Sequence, residues 1–370
     1  MPLADAAAYP VWTNVALFLA AAAVIWVAGG RLTRALDAIA SKTGLERVFV
    51  GMLLLGGITS LPELANVTTA SAIGNPSLAI NNLLGSAAIN IVLLAVADAL
   101  VGRRAVTSIV AQPSTMMMGA LGMIVLVMIA AAVTLGDMVV GPLGLGSLII
   151  GLASLGFFWM ATGHDERSPW SVEEEEDRDD AEPEPELSDK PVRSLWMQVA
   201  ANGALLFAAG YTLSQVGDAL AAQLGLTSAV VGFALIGMAT SLPELVTVLV
   251  ALKLNRPEMA FGQVLGTNFI NLALLPIGDL VYAGEPILNM LGAFEVLSAL
   301  LGATLIGIFM VGLLEHRNRT IFKMGIDSAA VLGVFSLGLA VLVQVPAHSQ
   351  GEQGDRRQGQ DDRTTDHGSP

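Results

Sequence analysis

Apolar stretches follow one another along most of the chain, each about as long as a helix must be to cross a bilayer core. Ten can be marked, at 11–30, 46–73, 78–100, 106–134, 138–162, 195–217, 227–252, 259–283, 287–314 and 321–345. Each is rich in Leu, Ala, Val, Gly and Met. None shows the two-residue alternation of an outer-membrane barrel. The pattern predicts an all-α polytopic membrane protein with ten transmembrane helices. Met1-Pro2-Leu3-Ala4-Asp5 carries no basic region, so 11–30 is expected to be a retained span rather than a cleaved signal.

Charge sharpens this picture. Only 14% of the 370 residues are charged, and half of those charges lie in 164–193 and 346–370. The expected organisation is a first five-helix half at 1–163, an acidic linker at 164–193, a second half at 194–345 and a polar tail at 346–370. The linker, with Glu173-Glu174-Glu175-Glu176-Asp177, is too charged to pack, and a solvated spacer is its plainest role. A net charge of −14 speaks against nucleic acid as a partner, and the absence of cysteine excludes disulfide and thiol chemistry. With ten spans and an outer N-terminus, 15 of the 18 Lys and Arg fall in inner loops or adjoining span ends, and none in an outer loop between spans. Both termini are therefore expected outside and the linker in the cytoplasm. A compact chain of this kind suggests a prokaryotic inner membrane.

The chain also repeats itself. Residues 56–98 align without a gap on 237–279, with 18 of 43 positions identical. The shared core is Thr59-Ser60-Leu61-Pro62-Glu63-Leu64 and Thr240-Ser241-Leu242-Pro243-Glu244-Leu245. The copies are five spans apart, so they enter the membrane from opposite sides. That is the inverted-topology repeat of secondary transporters, with an ion site near the midplane.

Glu63 and Glu244 lie within apolar spans, where a carboxylate is costly and marks function. No Lys or Arg falls in the centre of any span, and His164, His316, His348 and His367 all lie in loops or the tail. The compensating charge is then a bound cation or a proton. Pro62 and Pro243 remove the hydrogen bonds to the carbonyls of Ile58 and Ala239, so each helix is expected to break beside its glutamate. Carbonyls, hydroxyls and carboxylates make an oxygen-only site that suits Na⁺ or Ca²⁺. Helical spacing extends the stripe through Thr59, Glu63 and Asn66, and through Thr240, Glu244 and Thr247. Asn82, Ser86 and Asn90 form a third stripe, and Gln263, Thr267 and Asn271 a fourth. Polar residues in membrane helices also serve as glue between helices, a role that Asn82, Gln263 and Thr247 fit equally well. Asp98, Asp279, Glu295 and Asp327 are expected to be structural.

The paired Thr-Ser-Leu-Pro-Glu segments, followed by Gly85-Ser86 with Asn90 and by Gly266-Thr267-Asn268 with Asn271, resemble the alpha repeats of the calcium/cation antiporter superfamily. That superfamily includes the sodium/calcium exchangers. The resemblance implies two inverted halves of five helices and alternating access, in which two outer helices slide against a core of eight. It implies Glu63 and Glu244 as ligands of Ca²⁺ and Na⁺, with backbone carbonyls from Thr59 and Thr240. Ser60, Ser241, Ser86 and Thr267 would complete sodium sites, and Asn90 and Asn271 would line the centre. Ala87 stands where the pattern has Asn, Asn271 where some sodium/calcium exchangers have Asp, and Ile58 where a small residue is usual. The expected function is exchange of Ca²⁺ for Na⁺, with no cofactor and no enzymatic activity. Coupling to H⁺ or K⁺ is the nearest alternative. A passive channel is a rival from another class, and an intramembrane hydrolase a more distant one, since the spans lack a nucleophile–base pair.

Overall fold

The computed structural model describes residues 6–43, 54–101, 113–162, 187, 189–253, 257–315, 320–321 and 324–345. Residues 164–186 and 188 of the acidic linker and the whole tail at 346–370 lie outside this set.

The described chain is mostly helix. Helix α1 spans Val11–Thr43, the short α2 Gly56–Thr59, α3 Leu61–Ala72, α4 Pro76–Val101, α5 Pro113–Leu135 and α6 Leu145–Thr162. The second half follows with α7 at Val192–Leu224, the short α8 at Gly237–Thr240, α9 at Leu242–Lys253 and α10 at Pro257–Ala273. It closes with α11 at Leu275–Val281, α12 at Ala293–Glu315 and α13 at Ile326–Leu342. Six helices among the described residues are long and apolar enough to cross a membrane. The outward faces are apolar: Leu135 is 86% exposed and Leu337 68%. The interior, by contrast, holds Asn, Ser, Thr, Asp and Glu. A water-soluble protein arranges these the other way round, so this surface is built for lipid. The protein is an integral membrane protein.

The repeat read from the sequence core extends through the secondary structure. Helices α1 and α7 begin and end 181 residues apart, and so do the pairs α2 and α8, and α3 and α9. Two small hairpins share the offset. Val139–Val140 pairs with Leu143–Gly144, and Thr320–Ile321 pairs with Met324–Gly325. Residues 139–144, and 321, 324 and 325, were expected to be helical span and belong to these hairpins instead. In the first, Gly141 takes φ +64 before Pro142, and the chain turns there despite its hydrophobicity. Helices α1 and α7 outrun the expected spans 11–30 and 195–217. Hydropathy registers bilayer thickness, whereas a helix continues as long as its neighbours cover it. Val192 and Arg193, assigned to the linker, already belong to α7, whose N-cap is the extended Pro191.

The halves are packed crosswise. The paired long helices α1 and α7 run antiparallel: Asn14 near the start of α1 donates to Gln223 Oε1 near the end of α7 at 3.1 Å. At the opposite end, Lys42 Nζ donates to the Lys190 carbonyl at 2.7 Å. Each long helix covers the proline helix of the other half. Gly29 on α1 lies against Pro243 at the start of α9, and Gly210 on α7 lies against Pro62 at the start of α3. These two contacts are also 181 residues apart.

Asp98 and Asp279, equivalent in the repeat, are structural, and each holds the opposite hairpin. Asp98 accepts from the Gly325 N–H at 2.6 Å. Asp279 accepts from the N–H groups of Gly144 at 2.8 Å and Ile287 at 2.7 Å, and from the Ser147 hydroxyl. Asp279→Ala strands those buried donors. It should cost about 3 kcal/mol or more, read as a lower melting temperature of the detergent-solubilised protein. Glu295 is likewise tied into the packing, accepting from Asn81 Nδ2 at 2.6 Å and from its own cap residue Gly292 at 2.8 Å. That is the carboxylate half of a capping box.

Candidate ion-binding site

Each half presents its glutamate by the same local device. Proline cannot donate to the carbonyl four residues back, so the helix must step there. The step is one residue wide, not an unwound loop. Ser60 (φ −75, ψ 0) joins α2 to α3, and Ser241 (φ −84, ψ 4) joins α8 to α9. The Ser60 N–H bonds the Gly56 carbonyl at 3.1 Å, and the Ser241 N–H bonds the Gly237 carbonyl at 3.1 Å. Pro62 and Pro243 have no N–H to give the carbonyls of Ile58 and Ala239. Downstream of each step, Glu63 and Glu244 occupy the first turn of α3 and α9. The positive end of a helix favours a carboxylate there. Upstream of the second step, the helix is π-wound over Val231–Ile236, a winding often found at functional positions.

The two glutamates are completely buried, and each lies within reach of the other's charge. The surroundings are crossed between the repeats. Thr240 of the second lies beside Glu63, and Thr59 of the first lies beside Glu244. Ser86 on α4 donates to Glu63 Oε1 at 3.1 Å and stands 3.3 Å from the Thr240 hydroxyl. Thr240 in turn donates to Asn82 Oδ1 at 3.1 Å. Helix α4 comes this close because Gly85 abuts the Phe233 backbone, where a β-carbon would collide with the carbonyl.

All ten residues singled out from the sequence are at most 2% exposed: Glu63, Glu244, Thr59, Thr240, Ser60, Ser241, Ser86, Thr267, Asn90 and Asn271. Their oxygens divide into two groups. Ser60 Oγ is engaged with the Gly56 carbonyl at 2.9 Å, and Thr59 Oγ1 with the same carbonyl at 3.3 Å. By contrast, Glu63 Oε2, both carboxylate oxygens of Glu244, Ser241 Oγ, Thr267 Oγ1, Asn90 Oδ1 and Asn271 Oδ1 are buried without a hydrogen-bond partner. Buried polar groups normally find partners. Oxygen is also the donor that a hard cation such as Ca²⁺ takes. Among the described residues no Lys, Arg or His is buried, so the carboxylates have no internal counter-charge. Asn66 is buried with both amide atoms unpartnered. Thr247 and Gln263 bond each other and serve as a tie between α9 and α10. One contact was not foreseen: Asn268 accepts from Asn90 Nδ2 at 2.9 Å. Its sequence signal is the single position where the Gly-Thr-Asn and Gly-Ser-Ala motifs differ in polarity.

Residues 13–162 and 194–344 match the sodium/calcium exchanger protein family. The chain belongs to that family. The CaxA protein of Alkalimonas amylolytica is 25% identical over 304 residues, covering 80% of this chain and 89% of its own. Inner membrane protein YrbG of Escherichia coli K12 is 27% identical over 279 residues, covering 73% of this chain and 80% of its own. In fold, the chain resembles the sodium-calcium exchanger NCX_Mj, with a TM-score of 0.54 at 19% identity over 90% of this chain and 99% of that one. It also resembles the H⁺/Ca²⁺ exchanger CAX, with a TM-score of 0.62 at 13% identity over 90% and 86%.

Proposed function

We propose that this member of the exchanger family is a secondary active antiporter that moves Ca²⁺ against Na⁺ by alternating access, with Glu63 and Glu244 as the central ligands. One observation carries the reading. Two carboxylates from repeat-related helices share a buried site rich in unpartnered oxygens, with no basic residue among the described buried side chains. One Ca²⁺ neutralises both charges, and two monovalent cations do the same. An empty site carries two bare charges, which oppose its passage across the membrane. That asymmetry couples the two fluxes, and it favours a carrier over a passive channel or an enzyme.

In this reading, ten spans form two inverted halves of five, separated by the acidic linker. The positive-inside bias sets both termini outside and the linker in the cytoplasm. The Lys42–Lys190 contact supports it, because it joins two helix ends that the charge bias assigns to the same inner face. A prokaryotic inner membrane agrees with the name carried by the E. coli relative.

Coupling to protons is the second reading. Two nearby carboxylates repel each other, so protons compete for the empty site. Purified protein in liposomes should take up Ca²⁺ under an imposed Na⁺ gradient. A K⁺ or pH gradient of equal size should drive little uptake. Uptake driven by the pH gradient alone would replace Na⁺ with H⁺ in this account. Calcium current without a counter-ion would replace the carrier with a channel.

A further inference from the structure

From the contacts of Asn268 we infer that it is a positioning residue: it fixes the amide of Asn90 so that the oxygen, not the nitrogen, is offered to the transported cation. The inference rests on the site proposed above, with Asn90 as one of its ligands.

An asparagine amide has two ends of similar size and opposite hydrogen-bonding sense. Left free, it can present its NH₂ to a site as readily as its oxygen, and an NH₂ group repels a cation. In this structure the choice is constrained. Asn268 Nδ2 donates to the backbone carbonyl of Ala87 at 3.4 Å. A backbone carbonyl can only accept, so Asn268 must turn its own oxygen the other way. That oxygen receives Asn90 Nδ2 at 2.9 Å. Asn90 is thereby oriented, and its Oδ1 is left buried and without a partner. Asn90 stands one helical turn from Ser86, the donor to Glu63, on the same face of α4.

The arrangement is one-sided. The repeat equivalent of Asn268 is Ala87 itself, which has no amide to offer. Asn271, the equivalent of Asn90, is buried with both amide atoms unpartnered. One central amide is thus held in place from behind, while no hydrogen bond sets the orientation of the other.

The test is the calcium dependence of uptake in proteoliposomes for Asn268→Ala, Asn90→Ala and the double variant. Groups that orient a metal ligand are typically worth 10–100-fold in affinity. Asn268→Ala should therefore raise the KM for Ca²⁺ about tenfold, with a maximal rate close to the parent and a protein that stays folded at the assay temperature. In the Asn90→Ala background the same change should add nothing. In an Asn90→Asp background it should also add nothing, because a carboxylate offers oxygen whichever way it turns. An unchanged KM in Asn268→Ala would overturn the inference, as would effects of Asn268→Ala and Asn90→Ala that multiply. If Asn90→Ala leaves the KM unchanged while Glu63→Gln abolishes uptake, the inference falls and the glutamate site stands. If neither change affects uptake, the site itself falls.

Discussion

Glu63→Gln and Glu244→Gln should each abolish calcium exchange while leaving a folded, monodisperse protein. Glutamine keeps the shape of glutamate, and at position 63 it can still accept from Ser86. What it removes is one of two buried charges. A divalent cation would then sit in low dielectric with only one carboxylate opposite it. Breaking a buried charge pair by removing one partner costs about 3–5 kcal/mol. That corresponds to a loss of roughly 10² to 10³-fold or more in affinity. The effect should be nearly equal for the two residues, because both are completely buried and each lies beside a threonine of the opposite repeat. The assay is initial calcium uptake in vesicles under a Na⁺ gradient. Parent-like uptake by either variant would remove that glutamate from the site.

The second large effect is expected at Gly210. A β-carbon there would overlap the α-carbon and carbonyl of Pro62, which are backbone atoms and cannot rotate away. Gly210→Val must therefore push α7 off α3 or displace the step that carries Glu63. Overpacking a tight contact costs about 1–3 kcal/mol, and more where backbone has to move. The variant should lose at least nine-tenths of its transport rate and melt at lower temperature. Gly29→Val, facing Pro243, should behave alike. Gly156 is the control: it is exposed on α6 and a β-carbon there meets nothing, so Gly156→Val should retain transport. Parent-like transport and melting in Gly210→Val would show that the close contact between long helix and proline helix is dispensable.

The membrane character, the repeat and which polar residues would be buried could all be read from the sequence, for one physical reason. Polar groups are expensive in apolar helices, so the few that occur, such as Thr59, Glu63 and Asn90, stand out and recur at a fixed offset. The helix ends were not legible in the same way. Val139–Gly144 is as apolar as a span, yet it turns back as a hairpin held by Asp279 from the other half. Nothing local announces that partner. Nor could the sequence divide the site's oxygens into engaged and available ones. Ser60 and Ser241 are equivalent in the repeat, but only the Ser60 hydroxyl is taken up by its own helix. The orientation of Asn90 depends on a residue 178 positions away, at the one place where the two motifs differ in polarity.

The account turns on the transported cation residing between Glu63 and Glu244. Anomalous diffraction from crystals of the protein soaked in Sr²⁺, a heavier analogue of Ca²⁺, would locate it directly. The account predicts a peak within coordination distance of both carboxylates, lost in Glu63→Gln. A sole peak elsewhere in the molecule, or one unchanged by Glu63→Gln, would contradict it.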